Sequence, residues 1–125
     1  MLKLALFVGI GGFLGSISRF VIYQWFLKLI PGISPAGTLF VNIIGSFILG
    51  FLVHYSSRLD RELFLLLTTG FCGGFTTYST FSIENINYLS SGNMANAVIY
   101  IGISLVLGFG AAFLGWYISK NLLGL

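Results

Sequence analysis

Apolar residues come in four long blocks along this chain, separated by short polar or turn-forming stretches. A membrane helix needs about 20 mostly apolar residues to cross roughly 30 Å of hydrocarbon, and each block is long enough. The first runs from about Leu4 to Leu27 and ends near Ile30, where Pro31-Gly32 begins a turn. Ser34-Pro35 then reads as a helix cap followed by proline at the first helical position, opening a second block from about Ala36 to Tyr55. SSRLDRE, Ser56 to Glu62, is the most charged stretch and reads as a loop. The third block extends from near Leu63 to about Leu89, SSGN at Ser90 to Asn93 is a turn, and the fourth covers about Ala95 to Ser119. No stretch is long enough to separate domains, so residues 1–125 read as one four-helix transmembrane domain.

The third block breaks its own pattern. GFCGGFTTYSTF, Gly70 to Phe81, places glycines and hydroxyl residues near the expected bilayer centre. Gly73-Gly74 followed by Phe75-Thr76-Thr77 should interrupt the helix, because glycine and β-branched threonine are weak helix formers. A break frees backbone carbonyls and amides, which are tolerated at that depth only where protein, a cavity or an ion satisfies them. Broken helices recur at ion and substrate sites, where unwound carbonyls hold cations. The alternative is a simple kink whose hydroxyls bond back to their own helix.

Composition agrees with the bilayer as solvent. Apolar residues make up 57% and charged residues 7%, against about 25% charged in an ordinary soluble domain. The net charge of +3 is too small and scattered for a nucleic-acid surface. A lone cysteine, Cys72, forms no intrachain disulfide, and no Cys/His cluster suggests a metal site. The apolar run after Lys3 continues past Arg19 without a cleavage pattern, so it reads as a retained span rather than a signal peptide. Gly9 to Gly15, Gly45, Gly50, Gly108, Gly110 and Gly115 read as helix-packing positions, since small residues let backbones approach in a membrane. Four spans put both termini on one side with Lys3, Arg58, Arg61 and Lys120, which weakly favours cytoplasmic termini and leaves mixed orientation open.

A few polar residues inside the blocks need partners. Asn42 is the only amide of its block; it bonds another helix or offers its NH₂ group to an anion. Tyr78 and Phe81 are three apart and share a helix face, and aromatic edges are electropositive. Tyr100 and Ser104, four apart, extend a hydroxyl-lined path or satisfy neighbours. Arg19 either snorkels to the interface or lines a vestibule that attracts anions. Helical rise puts Glu84 roughly 15 Å from Gly73, which reads as an interfacial position. His54 and Cys72 read as structural. No nucleophile and base lie within reach of one another, so the chain does not read as an enzyme.

The motifs GGFLGSISRF, GTLFVNIIGS and GFCGGFTTYSTFS, followed by a glycine-rich fourth block, resemble in their order the CrcB/Fluc fluoride-channel family over the whole chain. The resemblance implies an all-α integral membrane protein of four transmembrane helices, the third broken near its middle. It implies a dual-topology antiparallel homodimer with two narrow pores in the inner or plasma membrane. Fluoride would leave the cytoplasm through it passively, down its electrochemical gradient. A central structural sodium ion would sit on the backbone carbonyls of Gly73 and Thr76. Asn42, Tyr78 and Phe81 would line the pore, with Ser79, Thr80 and Glu84 as a polar track beside them. Tyr100 and Ser104 match further pore positions, and Arg19 matches a vestibule arginine. Tyr78 departs from the TTFSTF usual in the family, adding a hydroxyl that either donates to fluoride or narrows the path. The rival reading is a small four-helix proton-coupled multidrug exporter, which needs a membrane-embedded carboxylate. The first block has none, and Glu84 lies off centre.

Overall fold

The computed structural model describes residues 1–33 and 35–124. They are helical throughout, without strands among the described residues. Helix α1 spans Leu2–Leu29, α2 Pro35–Tyr55, α3 Arg61–Leu65, α4 Gly73–Phe75, α5 Tyr78–Ser90 and α6 Met94–Leu123. A π-helical stretch, Leu66–Cys72, joins α3 to α4. Three helices, α1, α2 and α6, are long and apolar enough to cross a membrane. The third block is divided among shorter pieces.

Most expected boundaries hold within a few residues. Pro35 is the first residue of α2, while the cap expected at Ser34 lies outside the described residues. The charged stretch is only partly a loop: Ser56–Arg58 form a 3-10 turn and helix resumes at Arg61. Gly32 and Gly92 close the turns after α1 and α5 with φ of +92° and +79°, a left-handed conformation that side chains with a Cβ rarely adopt.

Glycines set the packing, in two parallel pairs. Gly11 abuts the Leu66 carbonyl and the Phe71 amide; Gly15, one turn on, abuts the Phe71 carbonyl and the Phe75 amide. Gly70 and Gly74 answer from the other side, against Val8 and Gly11 and against Gly12 and Ser16. Contacts advance together on both segments, so α1 runs parallel to residues 61–75. Likewise Thr38 and Tyr100 meet at Glu84 and, further along both helices, Gly50 meets the Ala112 carbonyl and Gly115 the Phe47 and Phe51 backbone, making α2 and α6 a second parallel pair. Without a hydrophobic drive between helices in lipid, such close backbone contact is what holds them. The expectation for the glycines therefore divides: Gly11, Gly15, Gly45, Gly50 and Gly115 are packing positions, whereas Gly9, Gly108 and Gly110 face open space.

The interior is small and partly polar. Thr38, Val41 and Ser119 are fully buried, while Val106 is 71% and Phe109 75% exposed. That distribution suits an apolar solvent and not water. Lys3 Nζ lies 3.1 Å from Glu62 Oε1, placing the N-terminus beside the charged turn as the even number of crossings requires.

Candidate functional site

Two adjacent threonines build the interruption. The Thr68 hydroxyl donates to the Phe64 carbonyl at 2.7 Å, back-bonding of a kind that bends helices, and it lies inside the π-helical stretch Leu66–Cys72. Gly73–Phe75, expected to break, instead keeps helical geometry. The chain opens one step later. Thr76 is extended (φ −87°, ψ 158°), with its amide and its hydroxyl both spent on the Cys72 carbonyl. Thr77 is extended too (φ −149°, ψ 114°), and its side chain caps α5 by accepting the Thr80 amide at 3.3 Å. Threonine is a favoured residue at such a cap.

Asn42 holds the opened backbone. Its Nδ2 donates to the Thr77 carbonyl at 3.1 Å and its Oδ1 accepts the Thr77 amide at 2.7 Å. Of the two alternatives for this amide, the interhelical bond is present, and one N–H remains over. The clamp also decides which carbonyls lose their helical partners. The Thr77 amide, which would return to Gly73, goes to Asn42; the Thr80 amide, which would return to Thr76, goes to Thr77 Oγ1. The Gly73 and Thr76 carbonyls are thereby among those released, and Gly73 is exposed. Released carbonyls at a break suit a cation.

The break opens on a cleft of about 760 Å³ lined by α2, residues 64–81 and α6. It gathers Asn42, Gly73, Thr76, Tyr78, Phe81 and Ser104 from the expected set. The Tyr78 and Phe81 rings lie 5.9 Å apart on one face, as their spacing predicts. Among the described residues no Asp, Glu, Lys or Arg lines this cleft.

Other expected residues fall elsewhere. Ser79 is exposed, and Thr80 belongs to the cap of α5. Glu84 is turned inward: it is 8% exposed, accepting from the Thr38 hydroxyl at 2.8 Å and the Tyr100 hydroxyl at 2.7 Å. Tyr23 shares a further hydrogen bond with Thr38 Oγ1, and since the Thr38 proton is spent on Glu84, Tyr23 is the donor. One carboxylate thereby draws hydroxyls from α1, α2 and α6. It lines a smaller cavity of about 250 Å³ with Gly32, Asn87, Tyr88 and Asn93 at the turn end of the molecule. The Tyr100 ring bridges the two regions, 5.1 Å from Phe81 and 6.4 Å from Tyr88. Arg19 makes no ion pair among the described residues, and its Nε is buried without a partner. His54 packs its ring edgewise on Trp116, and Cys72 is 2% exposed.

Sequence reasoning missed Tyr23, Thr38 and Thr77. Thr38 stands one turn before Asn42 and Tyr23 one turn after Arg19, so helical spacing carried a signal for both. Thr77 carried the stronger one, a threonine immediately before a resumed helix.

The family described as CrcB-like protein, Camphor Resistance (CrcB), matches residues 6–116. The chain belongs to this family. Among its relatives, a protein of Azobacteroides pseudotrichonymphae named fluoride-specific ion channel FluC is 41% identical, over 96% of this chain and 98% of its own. Proteins of the same name from Campylobacter lari and Gloeothece citriformis are 43% and 45% identical, over 96% and 93% of this chain and 100% and 96% of theirs. The family is one of channels and not of enzymes, and the chain is a multi-pass membrane protein.

Proposed function

We propose that this chain is the subunit of a fluoride-selective channel that lets fluoride leave the cytoplasm passively. The observation that carries the reading is the cleft at the break. It presents an Asn42 amide, hydroxyls and two aromatic rings, with no ionised side chain on its walls. A small, strongly hydrated anion needs donors in place of water, yet must not be held too tightly to leave. Neutral donors and positive ring edges meet both requirements. Names carried by relatives of nearly equal length support the same ion.

In this reading Asn42, Tyr78, Phe81 and Ser104 contact the ion directly. Ser79, Thr80, Glu84 and Tyr100 supply the polar track beside them, and Arg19 stands at a vestibule. The stretch from about Leu63 to Leu89 forms a fourth transmembrane segment. Two copies pack antiparallel with their clefts facing inward, giving two pores and bringing the Gly73 and Thr76 carbonyls of both copies around one sodium ion. That ion supplies positive charge and a fixed junction; the pore residues alone handle the anion. The exporter alternative gains nothing from the geometry, because both Glu84 oxygens are engaged within the chain.

The test is efflux from liposomes reconstituted with the purified protein, followed by a fluoride electrode with chloride measured in parallel. Fast fluoride release without chloride release is the expected result. Well-folded dimer that releases no fluoride overturns the proposal.

A further inference from the structure

The cleft extends beyond Asn42, and an account of its donors separates spent hydroxyls from free ones. Thr68 and Thr76 give their protons to the Phe64 and Cys72 carbonyls, and Thr77 gives its proton to Thr80. Ser46, Thr69 and Ser104 line the same cleft and take part in no hydrogen bond among the described residues. Ser104 Oγ is buried as well as unpartnered.

The register orders these groups. In the α2–α6 pair Thr38 and Tyr100 meet at Glu84, and Gly50 faces Ala112. The same offset sets Ser104 level with Asn42, and Gly108, which has no side chain, level with Ser46. Ser46 is one turn beyond Asn42 on the same face, a rise of about 6 Å. Against the third segment, Asn42 is bonded to Thr77 and Gly45 abuts Thr76, so the antiparallel run carries Ser46 past Cys72 and Gly73 toward Thr69. The free donors therefore continue toward the end of the molecule that holds both termini, where Leu49 and Phe64 close the cleft.

We infer that Ser46 and Thr69 form a further anion station, between the Asn42–Ser104 level and the terminal side. Its ligand is a small, dehydrating anion such as fluoride, met by two hydroxyl protons with a glycine opposite to leave room. The station rests on the channel reading above. It gives the ion a neutral resting place one step outside the aromatic pair, so that water is exchanged for hydroxyls in two stages.

The test compares wild type with Ser46→Ala/Thr69→Val and with the hydroxyl-preserving Ser46→Thr/Thr69→Ser, all reconstituted at equal density. Loss of a hydrogen bond to a charged group predicts about tenfold lower fluoride efflux for the first double variant. The loss should be greatest at low fluoride concentration, and the hydroxyl-preserving variant should return most of the flux. A merely structural role would lower flux equally at all concentrations. If the double variant fails to fold, Thr69→Val decides alone, because Thr69 is exposed and the exchange conserves volume. Efflux from a folded hydroxyl-free variant equal to a conducting wild type overturns the station only. A folded wild-type dimer that conducts no fluoride overturns the channel reading itself.

Discussion

Replacing Asn42 by alanine removes both bonds that hold the opened backbone. Thr77 is 6% exposed, so neither its amide nor its carbonyl turns to water. A buried backbone group left unpaired costs about 1–3 kcal/mol. Two groups would cost more, but the Thr77 amide is then free to return to the Gly73 carbonyl and recover one bond. Together these give a destabilisation of about 2–4 kcal/mol, toward the lower end where the helix heals itself. Healing has a second consequence, because it takes up the Gly73 carbonyl, one of the sodium ligands in the channel proposed above. The variant should therefore unfold earlier in a detergent titration and lose any stabilisation by sodium relative to potassium. Fluoride efflux should fall at least tenfold. Stability within about 0.5 kcal/mol of wild type, with the sodium effect intact, would refute the clamp.

Gly11→Ala and Gly15→Ala drive a Cβ into the Leu66 and Phe71 carbonyls, and overpacking of this kind costs about 1–3 kcal/mol; Gly9→Ala, with nothing near it, should leave the thermal unfolding of the chain unchanged. Glu62, at the mouth of the charged turn, is held below the ordinary carboxyl range first by its own backbone amide and then by Lys3. Its folded value lies below its unfolded one, so the pair contributes above the unfolded value and its contribution is lost as pH falls through the folded one. Lys3→Gln should raise the Glu62 titration midpoint read by NMR, and an unmoved midpoint would show that the pair does not form in solution.

The sequence made the blocks legible because their length and apolarity answer to the thickness of a bilayer, a requirement that no tertiary contact overrides. It also marked the neighbourhood of the break, through the glycines at 73 and 74. The opening falls inside the stretch expected to interrupt, Gly73 to Thr77, at its far end. Gly73–Phe75 stays helical since α1 packs on that face, and the interruption moves to Thr76 and Thr77, whose hydroxyls bond backbone on either side. The π-helical stretch Leu66–Cys72 was invisible as well, because composition alone does not announce a change of helical pitch. The surroundings of Glu84 were not legible, because helical rise measures depth along the membrane and says nothing of which neighbours surround a side chain. Thr38 and Tyr100, remote in sequence, make its site an interior one. The pairing of Tyr78 with Phe81, by contrast, is purely local and was fully legible.

The two parallel pairs bear on how the protein is made. Neighbouring segments leave a ribosome one after another, yet the backbone contacts of these two pairs join segments that are not neighbours. α1 meets its close partner only when residues 61–75 have emerged, and α2 waits for α6, the last to appear. The first hairpin thus enters the bilayer without its tight contacts, held there by apolarity alone. Every nascent chain cut short before α6 leaves Gly50 facing lipid and the Thr38 end of α2 without Tyr100. The backbone contacts of α2 are complete only when α2 and α6 have met.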